Sequence, residues 1–172
     1  MQRYWLDENG KNLIVVMKMN LLEIGEMITE DDIRKLETKM NLKLPEEYRN
    51  FLLQNNGGVP ENDVEFSFIE LDVVTQENRE QGSDIQYFYN VDEMLEAYQN
   101  LVDEELIHKN YIPVACDSFG NEILICSDSD ENNGCVFFAN HEMVNPDGSF
   151  WITSKIANSF NEFINILVPI EY

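Results

Sequence analysis

The spacing of apolar residues after position 29 is helical. Ile33, Leu36 and Met40 recur at intervals of three and four residues, which places them on one face of a helix. Thr29 is a good N-cap, and three carboxylates at positions 30–32 stand where a helix dipole favours negative charge. The pattern therefore predicts a first helix that begins at Thr29.

A second helical pattern follows a short connection at 41–44. Pro45 suits the first position of a helix, and the Asn-Asn-Gly-Gly run at 55–58 is typical of a helix end, because glycine tolerates the left-handed cap geometry. One face of this predicted helix is apolar, with Tyr48, Phe51 and Leu52.

The pattern then changes to alternation. Val64, Phe66 and Phe68 are separated by polar residues, which predicts a strand with one buried face. The polar stretch from Thr75 to Asp84 is expected to be a loop. A third helix is predicted from Asp92 to about Leu101.

The second half of the chain indicates strands and then a helix. Three short apolar runs separated by turn-rich segments predict an antiparallel meander. A last helix is expected to begin near Asn158 and Ser159. Helices on both sides of a run of strands define an α+β fold, here a single compact domain with a mostly antiparallel sheet. The three predicted strands are 111–116, 122–126 and 135–139.

The N-terminal residues suggest a hairpin outside this domain. Two apolar runs, at 4–6 and 13–17, flank Asp7-Glu-Asn-Gly10, and Asn-Gly is a strong turn signal. This part is expected to be an addition to the core domain.

Charge is the most unusual feature of the composition. Lys and Arg number 11 and Asp and Glu 33, which gives a formal net charge of −22. Such a surface repels phosphate backbones and anionic membranes, so neither nucleic acid nor membrane is expected as a direct partner. It attracts basic proteins and accelerates their encounter, although acidity also serves solubility alone. No run of apolar residues approaches the roughly 20 needed to span a membrane, and we expect a cytoplasmic protein.

Four residues could in principle bind zinc, but their spacing argues against it. Cys116, Cys126, Cys135 and His141 lack the close ligand pairs of structural zinc sites. The odd number of cysteines, with no C-x-x-C pair, suggests free thiols in a reducing compartment. A calcium loop beginning at Asp128 would need glycine and glutamate at positions that hold Asn133 and Ala139. We expect no metal and no cofactor.

Catalysis is also poorly supported by the sequence. There is no nucleophile elbow and no phosphate-binding glycine loop. Neither His108 nor His141 lies in a catalytic motif. An uncharacterised hydrolase that uses His141 with Cys135 or a carboxylate is kept as an alternative. No catalytic residue is predicted.

The carboxylate clusters fall into two groups. Those at 30–32 and 46–47 stand at predicted helix N-termini, where capping explains them. The others lie in predicted connections, where they cap no helix, and they are the better candidates for contact with a basic partner. The predicted partner-binding residues are Asp103, Glu104, Glu105, Asp128, Asp130 and Glu131.

Several short motifs follow one another along the chain. They are I-T-E-D-D-I at 28–33, L-K-L-P-E-E-Y-R-N-F-L at 42–52, N-G-G at 56–58, Y-I-P-V-A-C-D at 111–117, F-G-N at 119–121, G-C-V-F-F at 134–138 and A-N-S-F-N-E-F at 157–163. Taken in order, they resemble those of the SUKH superfamily, which includes bacterial immunity proteins and fungal Smi/Knr cell-wall regulators. The second half resembles the family's "IPIA-D-GN" hairpin, the strand after it and the closing A-x-S-F-x-x-F helix. The resemblance covers about residues 28–167 and leaves 1–27 outside it, so we divide the chain into an N-terminal extension, 1–27, and a SUKH-like domain, 28–172.

The resemblance implies a compact α+β domain that functions by protein binding without catalysis. Bacterial members neutralise toxin domains of polymorphic or contact-dependent systems, often nucleases, so a cognate protein toxin with a basic surface is the expected partner. The alternative is a regulatory scaffold like the fungal members. The residues that the family shares are structural in kind, and they carry over no catalytic role and no specific toxin.

Overall fold

The structure, a computed structural model, describes residues 5–6, 12–13, 19–72, 75–128 and 131–171. Within these ranges the chain has the expected α+β architecture, with helices packed on antiparallel sheets. The helices are α1 Glu30–Met40, α2 Glu46–Asn55, α3 Val91–Asp103 and α4 Phe160–Ile166. The strands are β1 Trp5–Leu6, β2 Asn12–Leu13, β3 Leu21–Leu22, β4 Val59–Pro60, β5 Val64–Leu71, β6 Asn78–Asp84, β7 Tyr87–Phe88, β8 Tyr111–Cys116, β9 Glu122–Cys126, β10 Val136–Val144, β11 Trp151–Ala157 and β12 Val168–Pro169.

The predicted helices are confirmed, with small shifts at their ends. Thr29 caps α1 in a reciprocal capping box with Asp32. Pro45 is the N-cap of α2 and not its first residue. Asn56, with φ 46°, takes the left-handed cap position of α2. Helix α3 is longer than predicted, since it starts at Val91 after the Asn90 cap and continues to Asp103.

The predicted meander is confirmed and forms the middle of a larger sheet. Strands β8, β9 and β10 pair antiparallel in succession, and β7 and β11 add one strand at each edge, giving the order β11-β10-β9-β8-β7. Sequence analysis assigned no strand to β11, although its burial alternates at Ile152 and Ser154. A second sheet has the order β12-β5-β6.

The predicted loop from Thr75 to Asp84 is wrong over most of its length. Strand β6 occupies Asn78–Asp84 and pairs antiparallel with the whole of β5, from Leu71↔Asn78 to Glu65↔Asp84. Residues 78–82 are exposed on both faces of this edge strand, so neither face has an apolar set. Without burial there is no period-two pattern for sequence analysis to detect.

Part of the predicted extension pairs with the domain. Strand β3 pairs with β4, and the Gly25 amide donates to the Asn56 carbonyl at 3.1 Å. Within the predicted hairpin, β1 pairs antiparallel with β2, while residues 1–4, 7–11 and 14–18 lie outside the described residues. A boundary at 27/28 stays a prediction, although backbone contacts bind residues 19–27 to the body of the fold.

The five-stranded sheet is buried on both faces. Ile123, Ile125 and Phe138 face the main core, which is completed by the helices and by Phe66 and Phe68 of β5. The Phe68 and Phe138 ring centroids are 4.5 Å apart, so the inner face of the three-stranded sheet packs on the same layer. The opposite face carries a smaller core, and its members from the sheet are Leu124, Cys126, Phe137 and Ala139.

Candidate protein-binding surface

The first predicted acidic cluster lies at the C-terminal end of α3. Asp103 is the last residue of the helix and not part of a connection, while Glu104 is its C-cap and Glu105 has a positive φ of 56°. All three side chains are exposed. The last turn of α3 has no basic residue, and negative charge at a helix C-terminus opposes the dipole. The cluster therefore works against the stability of α3.

The segment after this cluster is held firmly against the smaller core. Leu106 accepts a hydrogen bond from the Trp151 amide at 2.8 Å, and Ile107 is buried. Tyr98 donates from its hydroxyl to the Lys109 carbonyl at 2.8 Å. These contacts fix the backbone that follows the three carboxylates, so they are presented on an ordered support.

The second predicted cluster begins at the end of β9. Asp128 is exposed and accepts a hydrogen bond from the Asn110 side-chain amide at 3.0 Å. The Ser127 amide donates to the Asn110 carbonyl at 2.7 Å. Glu131 is exposed, and Asp130 lies outside the described residues. Asn110 thus links this cluster to the segment that carries Glu105, and the structure places the two groups on neighbouring loops.

The carboxylates at the N-terminus of α1 have structural partners, as the sequence predicted. Asp32 accepts hydrogen bonds from the Thr29 amide at 3.0 Å and from the Thr29 hydroxyl at 2.7 Å. These bonds lower the pKa of Asp32 to about 2. Asp31 pairs with Arg34, and Glu30 pairs with Arg49. Capping and ion pairs account for this cluster without a binding partner.

The second N-terminal cluster is also used within the fold in part. Glu47, in the first turn of α2, accepts a hydrogen bond from the Asn161 amide at 2.8 Å. This bond ties the start of α4 to α2. A carboxylate at the helix N-terminus again serves the structure.

Interior carboxylates, which sequence analysis did not single out, hold the turns around the sheet. Asp117 is buried and accepts from the Phe119 amide at 2.9 Å, the Asn121 amide at 2.8 Å and the Ser83 hydroxyl at 2.6 Å. A buried carboxylate is tolerated when its oxygens are satisfied in this way. The turn residues of the D-x-F-G-N segment were the available sequence signal, and their role here is structural.

Glu122 and Tyr89 form the second interior pair. The Tyr89 hydroxyl lies 3.0 Å from both carboxylate oxygens of Glu122. Desolvation by burial raises the pKa of Glu122 to about 7, and the nearby Asp117 charge adds to this effect. Burial raises the pKa of Tyr89 as well. A perturbed carboxyl can mark a functional site, but this one is paired within the fold.

The structure separates the catalytic pair considered from the sequence. Cys135 immediately precedes β10 and His141 lies within it, so six residues of extended chain, or roughly 20 Å, stand between them. Cys135 is buried with its sulfur near the Asn158 carbonyl. His141 Nδ1 is 2.8 Å from Asn121 Oδ1. A Cys135–His141 nucleophilic pair is therefore ruled out.

Two further features limit the chemistry of the described residues. In the ranges that the structure covers, no three His, Cys, Asp or Glu side chains are grouped so that they could hold a metal ion. None of the described helices is long and apolar enough to cross a membrane. What the described residues do present is an α+β domain with exposed carboxylates at the end of α3 and after β9.

Comparison with known proteins identifies the family. The model of the SMI1 / KNR4 family (SUKH-1) matches residues 27–166. This chain therefore belongs to the SUKH-1 family, as its motifs had suggested. Members of this family are generally non-enzymatic immunity or regulatory proteins.

A curated relative agrees with this membership. The chain is 34% identical over 155 residues to the SPbeta prophage-derived uncharacterized protein YokK of Bacillus subtilis (strain 168). The alignment covers 83% of this chain and 77% of the relative.

Proposed function

We propose that this protein is an immunity protein that binds and neutralises a cognate protein toxin of a polymorphic or contact-dependent system, without catalysis. The observation that carries the proposal is membership in the SUKH-1 family over residues 27–166. The family includes immunity proteins, and a protein of this kind acts by occupying its target. A cytoplasmic location follows from the proposal, because an antidote must meet an incoming toxin there.

Electrostatics supports the kind of partner. A nuclease toxin must bind a polyanion, so its active cleft is basic. A chain with a net charge of −22 attracts such a cleft over a distance of about 10 Å at moderate salt. The acidic protein then competes with nucleic acid for the same surface.

The exposed carboxylates supply a location for this attraction. Asp103, Glu104 and Glu105 oppose the dipole of the helix they end. Within the described part of the chain, no ion pair to these three residues is seen. We propose that they, with Asp128, Asp130 and Glu131, steer the toxin onto the protein.

The test is rescue by co-expression. The C-terminal domain of the toxin-like open reading frame adjacent to this gene is expressed in a test bacterium, with and without this protein. Survival only when this protein is present, together with a complex that purifies at a fixed ratio, is the expected result. Death in both cases, with both proteins folded and no complex formed, would overturn the proposal and favour a regulatory scaffold.

A further inference from the structure

The outer face of the three-stranded sheet carries aliphatic side chains in solvent. Ile69 is 54% exposed and Leu71 is 45% exposed, on alternate positions of β5. Val168 of β12, 50% exposed, pairs with Glu65 of β5. Side chains opposite each other in an antiparallel pair share a face, so all three lie on the outer face, with Ile69 and Leu71 adjacent at one end of β5 and Val168 at the other end, beside Glu65.

Carboxylates border these aliphatic residues on the same face. Register places Glu80 directly opposite Ile69, and Asp84 directly opposite Glu65. Like charges at opposed positions destabilise a strand pair. The Asp84 carboxylate finds a local donor, the Ser118 amide at 3.1 Å, whereas the exposed Glu65 and Glu80 extend the acidic border of the face.

The inner face of the same sheet does the structural work. Phe66 and Phe68 point to the main core, where both contact Phe138. Because side chains alternate along a strand, the residues of the outer face are not part of that core. Replacing Ile69 or Leu71 would therefore leave the main core intact, so that a role in binding can be tested without unfolding the protein.

We infer that this outer face, defined by Ile69, Leu71, Val168, Glu65 and Glu80, is the surface on which the toxin docks. The inference rests on the proposed function. The face combines an aliphatic pair, Ile69 and Leu71, with carboxylates opposite it and further along the same strand, and protein interfaces combine apolar and polar groups in this way. Acidic borders require a partner surface that combines aliphatic side chains with lysine or arginine.

A second copy of this chain fits the face less well. Two such faces would bring Glu65 and Glu80 of both copies together, in a chain that already carries a net charge of −22. Unpaired like charges at an interface oppose association. The basic toxin is therefore the occupant that the charges favour.

Steering and docking then fall to different parts of the molecule. Remote or peripheral charges mainly change the association rate constant, while contacts at the centre of an interface mainly change the dissociation rate constant. The loop carboxylates act through the electric field, and the sheet face acts by contact. The two contributions can be separated by kinetics.

The experiment compares Ile69→Thr/Leu71→Thr with the wild type in binding to the C-terminal domain of the adjacent toxin-like open reading frame. Threonine keeps the strand preference of the replaced residues. Surface binding kinetics should show a dissociation rate constant raised roughly tenfold or more and an association rate constant almost unchanged. The control is Met27→Thr/Val144→Thr, which removes two large apolar side chains that are on average somewhat more exposed and lie outside this face; it should bind like the wild type.

A second variant, Glu65→Lys/Glu80→Lys, tests the border of the same face. We expect roughly tenfold weaker binding at low salt and a smaller difference at high salt. Both variants should keep the wild-type melting temperature, because the replaced side chains are exposed.

The outcomes separate this inference from the proposed function. If the wild type binds and rescues, and both sheet variants bind as tightly as it does, the docking face is wrong and the immunity function stands. If the wild type neither binds nor rescues, both the docking face and the proposed immunity function are wrong. A wild-type dimer that the Ile69→Thr/Leu71→Thr variant dissociates would overturn the assignment to the toxin, because the face would then join two copies.

Discussion

Two runs of three consecutive carboxylates stand at opposite kinds of helix end. Residues 30–32 open α1, and residues 103–105 close α3. The first run meets favourable dipole charge, a capping threonine and basic partners. The second meets the negative end of its helix and no basic residue in the last turn.

The difference separates charges that the fold uses from charges that it tolerates. Acidic residues are abundant in this chain, so their number alone says little about any one of them. The interaction of each run with its helix dipole depends on position: it is favourable at the N-terminus of α1 and unfavourable at the C-terminus of α3. Residues 103–105, whose charges destabilise α3, are therefore better candidates for contact with a partner than residues 30–32.

Reversal of the α3 charges should produce the largest effect. In the variant Asp103→Lys/Glu104→Lys/Glu105→Lys, the association rate constant with the toxin domain should fall at least roughly tenfold at low salt, because three steering charges change sign. Stopped-flow fluorescence measures it. The matched control, Glu30→Lys/Asp31→Lys/Asp32→Lys, reverses the same number of charges at the other helix end and is used after circular dichroism shows that it is folded. A similar loss of rate there would remove the distinction.

Loss of the α1 cap should affect stability and leave binding alone. Thr29→Ala removes the side-chain acceptor of the capping box and should lower the free energy of unfolding by about 1 kcal/mol. Urea unfolding followed by circular dichroism gives the value. Thr29→Ser, which keeps the hydroxyl, should restore most of it, and an equal loss in both variants would show that the cap hydrogen bond is not the cause.

Acid unfolding should depend on Asp32. Its pKa is lowered from 3.8 to about 2 in the folded protein, so its stabilising contribution is present above the unfolded value and is lost as pH falls from about 4 to 2. Asp32→Asn should flatten the decline of stability in that window. Unfolding curves at several pH values test it, and unchanged pH dependence would contradict the assignment.

Neutralising the three carboxylates that end α3 should change the free energy of unfolding least, and should raise it where loss of the α1 cap lowers it. Asp103→Asn/Glu104→Gln/Glu105→Gln relieves the unfavourable dipole interaction and should raise the free energy of unfolding by roughly 0.5 kcal/mol. Thermal unfolding at low ionic strength detects such a shift. A loss of stability would mean that these carboxylates have structural partners after all.

The sequence predicted those helices and strands in which apolar residues recur at a regular spacing and a cap or turn residue marks the end. Helix α1 has an apolar stripe and the Thr29 cap, and strands β8 and β9 have buried runs that end at turns. Strand β6 has neither, because its residues 78–82 are exposed on both faces and its position is set by pairing with β5. Nonlocal pairing of this kind leaves no mark in a short window of sequence.

The candidate surfaces divide in the same way. Asp103, Glu104 and Glu105 could be proposed from the sequence because three adjacent carboxylates are visible there. Ile69 and Leu71 were not proposed, because the predicted strand extends only to Phe68. The alternation at 64–68, continued along β5, places both residues on the face opposite the buried phenylalanines, and the structure shows them exposed there.

The most direct test of the central claim is the salt dependence of toxin association. Stopped-flow rates for the wild type and for Asp103→Asn/Glu104→Gln/Glu105→Gln are measured with the toxin domain from about 50 to 500 mM salt, a range over which the screening length shortens severalfold. We predict that the wild type associates faster at low salt and that the two rates converge as salt rises. Equal rates at every salt concentration would contradict a steering role for the carboxylates that end α3.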